Sequence, residues 1–237
     1  MAMAVPSRLW RGGVVSERRD LTLIMAVVGM VRRAAKGLSF LVCVDGLAGY
    51  VTAFTRVFRQ PERTGKRGRP RLVAISGLLL GQVMKHHRGR RLVDVTRRVV
   101  LGTAEAIAGV LSATGTGAGI STSSIERLNA TSRASMCPLV RRGRAIARGE
   151  AVLTGWMYLV GCAYNFCWEH DSLRLAAPAG TRLRWRERTP AMAAGLTDHV
   201  WTMRELLSQP IPLPPWVAPR RRGRPPKGFQ APKPVAA

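Results

Sequence analysis

Ser39-Phe40-Leu41-Val42-Cys43-Val44-Asp45-Gly46 is a β-rich apolar run that ends on a carboxylate. It has the length and composition of a buried strand, with Asp45 at its C-terminal end. Gly46 to Gly49 then turns the chain into a helix over Tyr50 to Phe58, whose apolar positions Val51, Phe54 and Phe58 recur at helical spacing. Upstream, Leu9 to Val15 reads as a strand broken by Gly12-Gly13. Leu21 to Ala35 reads as a helix, with Asp20 as N-cap and Lys36-Gly37 at its end. Strand, helix and second strand in this order predict a parallel crossover and an α/β layer.

Beyond Phe58 the pattern changes. Pro61 to Arg71 is a basic stretch without an apolar anchor and reads as a loop. Leu78 to Lys85 and Leu92 to Leu101 flank His86-His87-Arg88-Gly89-Arg90-Arg91 and read as a hairpin with a basic tip, with a helix over Leu78 to Lys85 as the alternative. Thr103 to Ser112 is helical, and the Gly-rich segment Thr114 to Gly119 is a linker. In Ser124-Ile125-Glu126-Arg127-Leu128-Asn129-Ala130-Thr131-Ser132-Arg133, Glu126, Asn129 and Arg133 form one polar helix face beside Ile125 and Leu128. Ser121 to Ser124 is a natural cap for that helix. It pauses near Pro138. Leu139 to Arg148 is expected to present Arg141, Arg142, Arg144 and Arg148 over about three helical turns.

Leu153 to Trp168 is apolar nearly all round and reads as a buried helix, with Trp156, Trp168 and Trp185 assigned to packing. A short capped helix over Arg188 to Gly195 and a last one near Met203 to Leu207 come next. Pro210 to Pro219 holds five prolines in ten residues. These features divide the chain into a folded domain over 9–208 and a Pro-rich basic tail over 209–237, expected to be disordered.

The charge points to a partner. Lys and Arg number 38 against 13 Asp and Glu, a net charge of +25, so a polyanion, and nucleic acid first, is the expected ligand. Four cysteines in mostly apolar surroundings show no disulfide framework and suit a reducing cytoplasm. Cys162 and Cys167 with His170 match no common zinc spacing and are read as core residues. Leu21 to Val31 stops at Arg32-Arg33, short of the roughly 20 residues a membrane span needs, and Met1 to Arg11 has no signal-peptide core.

Lys66-Arg67-Gly68-Arg69-Pro70-Arg71 and Arg221-Arg222-Gly223-Arg224-Pro225-Pro226-Lys227 share Arg-Gly-Arg-Pro and resemble the AT-hook. Glycine lets such a segment sit deep in a narrow groove, and the arginines follow the negative potential of an A·T-rich floor.

A longer series carries a second resemblance: Val44-Asp45-Gly46; Ile125-Glu126-Arg127-Leu128-Asn129-Ala130-Thr131; Tyr158-Leu159-Val160-Gly161 leading to Tyr164-Asn165-Phe166-Cys167; His170 with Ser172-Leu173-Arg174; and Arg188-Thr189-Pro190-Ala191-Met192-Ala193-Ala194-Gly195. In that order, from about Leu9 to Lys227, it resembles bacterial insertion-sequence transposases of the DDE type. The resemblance implies a ribonuclease-H-like α/β fold, a mixed sheet flanked by helices, in which three carboxylates hold two Mg²⁺ or Mn²⁺ ions that cut and join DNA. Asp45 matches the second carboxylate and Glu126 the third, as catalytic and metal ligands. The first belongs on an opening strand. Glu17 and Asp20 stand too near Asp45 to supply it, so the chain is expected to lack that strand, as an N-terminally truncated copy.

The expected partner is double-stranded DNA, at element ends and in A·T-rich minor grooves. Contacts are expected from Lys66, Arg67, Arg69, Arg71, Asn129, Arg133, Arg141, Arg142, Arg144, Arg222 and Arg224. The expected location is the cytoplasm, with the nucleoid. Self-association stays open. A non-enzymatic basic DNA-binding protein acting through the AT-hook-like motifs is the alternative, and an RNA- or ribosome-associated protein a third.

Overall fold

A computed structural model describes residues 1–35, 39–63, 65, 68–140, 143–178 and 180–210. The chain divides into two units, residues 1–207 and 208–237. The helices and strands of the described residues all belong to the first.

Strands β1 (Ala2–Ala4) and β2 (Leu9–Gly12) form an antiparallel pair. Helix α1 (Leu21–Ala34) comes after them, and the Asp20 carboxylate accepts the Leu23 N–H as its N-cap. Strand β3 (Phe40–Asp45) leads into α2 (Ala48–Val57). Strands β4 (Arg59–Glu62) and β5 (Arg71–Ala74) pair antiparallel at the two ends of the expected basic loop, Pro61 to Arg71, and overlap it only at Pro61, Glu62 and Arg71. Most of β5 is the apolar run Leu72 to Ala74 just past that loop, and the described loop residues 63, 65 and 68–70 are irregular.

Strands β6 (Leu78–Arg88) and β7 (Arg91–Leu101) make a long hairpin around Gly89, whose φ of 63° lies in the left-handed region that glycine enters freely. Helices α3 (Ala104–Thr114), α4 (Ser123–Ser135) and α5 (Glu150–Phe166) come next, with a 3₁₀ turn at Cys137–Leu139 after α4. The short strands β8 (Leu175–Ala176) and β9 (Trp185–Arg186) and the helices α6 (Pro190–Ala193) and α7 (Met203–Leu207) complete the unit.

The central sheet has the order β3-β6-β7 and is mixed: β3 lies parallel to β6, which lies antiparallel to β7. The α/β layer is therefore present, but its crossover runs from β3 through α2 to β6. The expected pairing of the first strand with β3 does not occur, because β2 pairs with β1 instead.

Alternation along the strands explains the layering. Val44, Leu78 and Leu80 point to one face, where Ile24 and Val28 of α1 and Phe54 of α2 complete a buried cluster. Leu79 and Val83 point to the other, against Ile107 and Leu111 of α3 and Ile120, with Leu41 and Cys43 beside them. Gly81 lies on this second face, and a Cβ there would come within 2.8 Å of the Ile120 side chain. A third cluster lies apart from the sheet and joins Trp10 of β2 to Leu128 of α4 and to Met157, Val160 and Tyr164 of α5. A Cβ on Gly161 would collide with the Trp10 ring, so this glycine sets how closely β2 and α5 approach.

Two helix expectations need correction. Residues 143–148 are irregular, not a basic helix. Ile146 there is 82% exposed, so no apolar face fixes a helix in place. Helix α5 is buried only in its C-terminal half. Val152, Trp156, Tyr158 and Leu159 are exposed, so its composition overstates its burial. Trp168 packs in the third cluster as expected, and the Arg174 and Arg184 guanidinium groups pack over the Trp185 ring, 4.7 and 5.4 Å from its centroid.

Candidate functional site

The C-terminal end of β3 and the first turn of α4 meet across an open groove of ≈ 470 Å³. Asp45, Arg19, Lys85, Thr122 and Glu126 line it, with Leu47, Val83 and Met84 as apolar walls. The register explains the meeting. Asp45 lies beside Val83 in the parallel ladder, so Lys85, two residues further along β6, projects past the end of β3. Carboxyl ends of parallel strands are where open α/β sheets commonly gather ligands.

Each carboxylate is held by specific partners. Asp45 accepts the Leu47 N–H at 3.1 Å on one oxygen and Arg19 at 3.2 Å on the other. The buried Gln82 amide donates to the Asp45 carbonyl at 3.1 Å and steadies the strand end. Glu126 accepts Lys85 at 2.5 Å and the Thr122 hydroxyl at 2.7 Å. Thr122, from the expected cluster, occupies the N-cap position of α4, but its hydroxyl serves the Glu126 carboxylate and bonds no backbone N–H. Burial opposes ionisation of Glu126. The hydrogen bonds from Lys85 and Thr122 and the Lys85 charge outweigh it, leaving the carboxyl below the ordinary value of 4.5. The Tyr50 phenol is pushed up, first by burial and then by the nearby Asp45 charge, with Arg19 acting against both.

A pH effect follows from Glu126. Its folded pKa is depressed, so its contribution is present above the unfolded value and is lost as pH falls through the folded one. Both groups of the pair are more than a third exposed, so the effect stays under about 1 kcal/mol. Thermal midpoints measured from pH 6 down to pH 3 (roughly the glutamate range) should fall less steeply in Glu126→Gln than in wild type. Parallel curves would mean that the pair adds nothing.

Asp45 and Glu126 are the predicted pair that the fold brings together. Asn129 is half-buried and Arg133 exposed, further along α4 and outside the groove lining. Arg71 is exposed on β5 opposite Glu62, and Arg69 and Arg144 are exposed in irregular segments. Lys66, Arg67, Arg141, Arg142, Arg222 and Arg224 lie outside the described residues.

The chain matches no protein-family model, no curated protein and no solved structure. Its chemistry is read from its own residues. Two carboxylates, each already engaged by a cation, fall short of a two-ion site, and no group of three His, Cys, Asp or Glu side chains is placed to hold a metal among the described residues. Asp20, the nearest earlier aspartate, is committed to capping α1.

Arg19 and Lys85 belong to no motif, and their role emerges only from the fold. The one signal for Lys85 in the sequence is its position at the end of an apolar strand, where alternation gives way to charge. From Lys85 onward the β6–β7 ribbon is mostly exposed and carries His86, His87, Arg88, Arg90, Arg91, Arg97 and Arg98. Among the described residues, no helix is long and apolar enough to cross a membrane.

Proposed function

We propose that this chain is a DDE-type transposase catalytic unit that binds double-stranded DNA along the Asp45–Glu126 groove, and that with two carboxylates there it does not cut or join strands by itself. The carrying observation is the meeting of Asp45 and Glu126, distant in sequence, across one groove rimmed by Arg19 and Lys85. The two acids come from a strand end and a helix start, the kinds of element that the resemblance assigns to the second and third carboxylates. The ribonuclease-H-like assignment draws support from the mixed sheet with α1 and α2 on one face and α3 on the other. The outer edge of β3 carries no further strand among the described residues. A strand added there would set its side chains beside Asp45, where a first carboxylate is required.

In this reading phosphates take over Arg19 and Lys85 from the carboxylates. The basic ribbon beginning at Lys85 continues the positive surface, and a two-stranded ribbon fits a major groove. Both ion pairs give the non-catalytic alternative a specific footing, since a cation on each acid suits a groove that binds phosphate without cutting it.

Charge neutralisation tests the groove. Asp45→Asn and Glu126→Gln each free a cation and remove a repelling charge, on the order of 1 kcal/mol near a phosphate. Duplex affinity at low salt, measured by fluorescence anisotropy, should rise roughly threefold to tenfold in each variant. Unchanged or weaker binding would place the DNA elsewhere or make the carboxylates direct participants in holding it.

A further inference from the structure

Helix α4 has a second polar face, turned away from Glu126. Ser124, Arg127 and Thr131 succeed one another at helical spacing and line a partly enclosed cavity of ≈ 150 Å³. A single water needs only about 10–15 Å³ of such space, so the cavity has room for a tetrahedral anion. Arg8 enters from the turn between β1 and β2 and donates to the Ser124 hydroxyl in the first turn of α4. His170 enters from the segment after α5, its backbone N–H bonded to the Arg188 carbonyl and its Nδ1 paired with the Ser172 hydroxyl at 3.0 Å.

The electrostatics of this cavity are one-sided. Two guanidinium groups and an imidazole converge on it, and no carboxylate is among the described side chains that line it. The acid acting on His170 is Asp171. Burial and then the charges of Arg8 and Arg127 outweigh Asp171 and hold the imidazole below its ordinary pKa. Uncompensated like charges around a partly enclosed space are unfavourable unless an anion fills it. Arg8 is moreover the one described non-glycine residue with positive φ, at 58°. That strained conformation persists although a glycine would relieve it.

We infer that this cavity is a phosphate-binding site: Arg8 and Arg127 grip the phosphate oxygens, and the hydroxyls of Ser123, Ser124 and Thr131 together with His170 complete the shell. Guanidinium forks match phosphate oxygens two at a time. The site rests on this convergence of side chains, not on the helix end beside it. That the phosphate comes from nucleic acid rests on the DNA-binding reading above; the site itself does not.

The test uses the full chain and inorganic phosphate. Thermal unfolding is followed in sodium phosphate and in sodium chloride of equal ionic strength, for wild type, Arg8→Gly and Arg127→Gln. Glycine accepts the φ of position 8 without strain, and Arg127 is exposed on α4, so both variants should fold. Wild type should gain about 3–6 °C at phosphate near ten times its Kd, and both variants should lose that gain. An equal gain in all three proteins, or none in wild type, would overturn the site.

The source is tested with decanucleotides bearing a 5′-phosphate or a 5′-hydroxyl. About tenfold tighter binding of the phosphorylated strand, lost in Arg127→Gln, identifies a terminal phosphate. An equal drop for both strands in that variant identifies a backbone phosphate. Unchanged affinity for both strands would overturn the nucleic-acid source and leave the groove reading untouched.

Discussion

Binding of this chain to a duplex should weaken on the order of a thousandfold between about 50 and about 200 mM salt. Neutralising six or more phosphates releases their condensed counterions, so log K should fall against log salt with a slope of about −5 or steeper. The charge of +25 makes a large release available, and the exposed ribbon of β6 and β7 supplies part of the surface for it. Within that general binding, the AT-hook-like motifs should contribute an A·T preference. Replacing Arg67, Arg69, Arg222 and Arg224 with Ala should remove most of the preference while the remaining cations hold general affinity. Anisotropy titrations on A·T-rich and G·C-rich duplexes at several salt concentrations measure both effects. An equal loss on the two duplexes would reduce the hooks to ordinary charge, and a slope near zero would exclude phosphate as the ligand.

The second large effect concerns stability. Asn165 is buried in α5, its carbonyl oxygen accepting the Trp10 N–H and its amide donating to the Trp10 carbonyl, both at 2.9 Å. One side chain thus stands in for a strand partner and fastens β2 to α5. Asn165→Leu keeps the volume and orphans two backbone groups, each at a cost of about 1–3 kcal/mol. A combined loss near 3 kcal/mol should lower the thermal midpoint by about 6–12 °C for a chain of this size. Asn129→Ala, half-buried and without a hydrogen bond of this kind, should move the midpoint by no more than about 2 °C. Equal behaviour of the two variants in a circular-dichroism melt would show that the Asn165 bridge adds little.

Elements with a periodic signal were legible in the sequence. Helix α1 and its Asp20 cap, the β6–β7 hairpin with its basic turn, and α6 capped by Thr189 all follow from local pattern and local chemistry. Pairing was not legible, because it is decided by what else is nearby. Leu9 to Gly12 is a strand, but its partner is Ala2–Ala4 and not β3. The apolar content of α5 reads as full burial, yet Val152 remains 51% and Trp156 36% exposed.

The site shows the same division. Asp45 and Glu126 stand out by residue type and position. Their cations, Arg19 and Lys85, come from a helix approach and a strand end that the fold alone aligns. The phosphate cavity was missed entirely, because Arg8, Arg127 and His170 lie far apart in sequence and converge only where β2, α4 and the end of α5 meet.

The most direct test incubates the purified chain with a labelled duplex in Mg²⁺ or Mn²⁺ and resolves bound complexes and strand breaks from the same reaction. The prediction is a shifted duplex with both strands intact, in wild type and in Glu126→Gln alike. Metal-dependent nicking or joining that disappears in Glu126→Gln would show that the two carboxylates suffice for catalysis, and a duplex that never shifts at low salt would remove DNA as the partner.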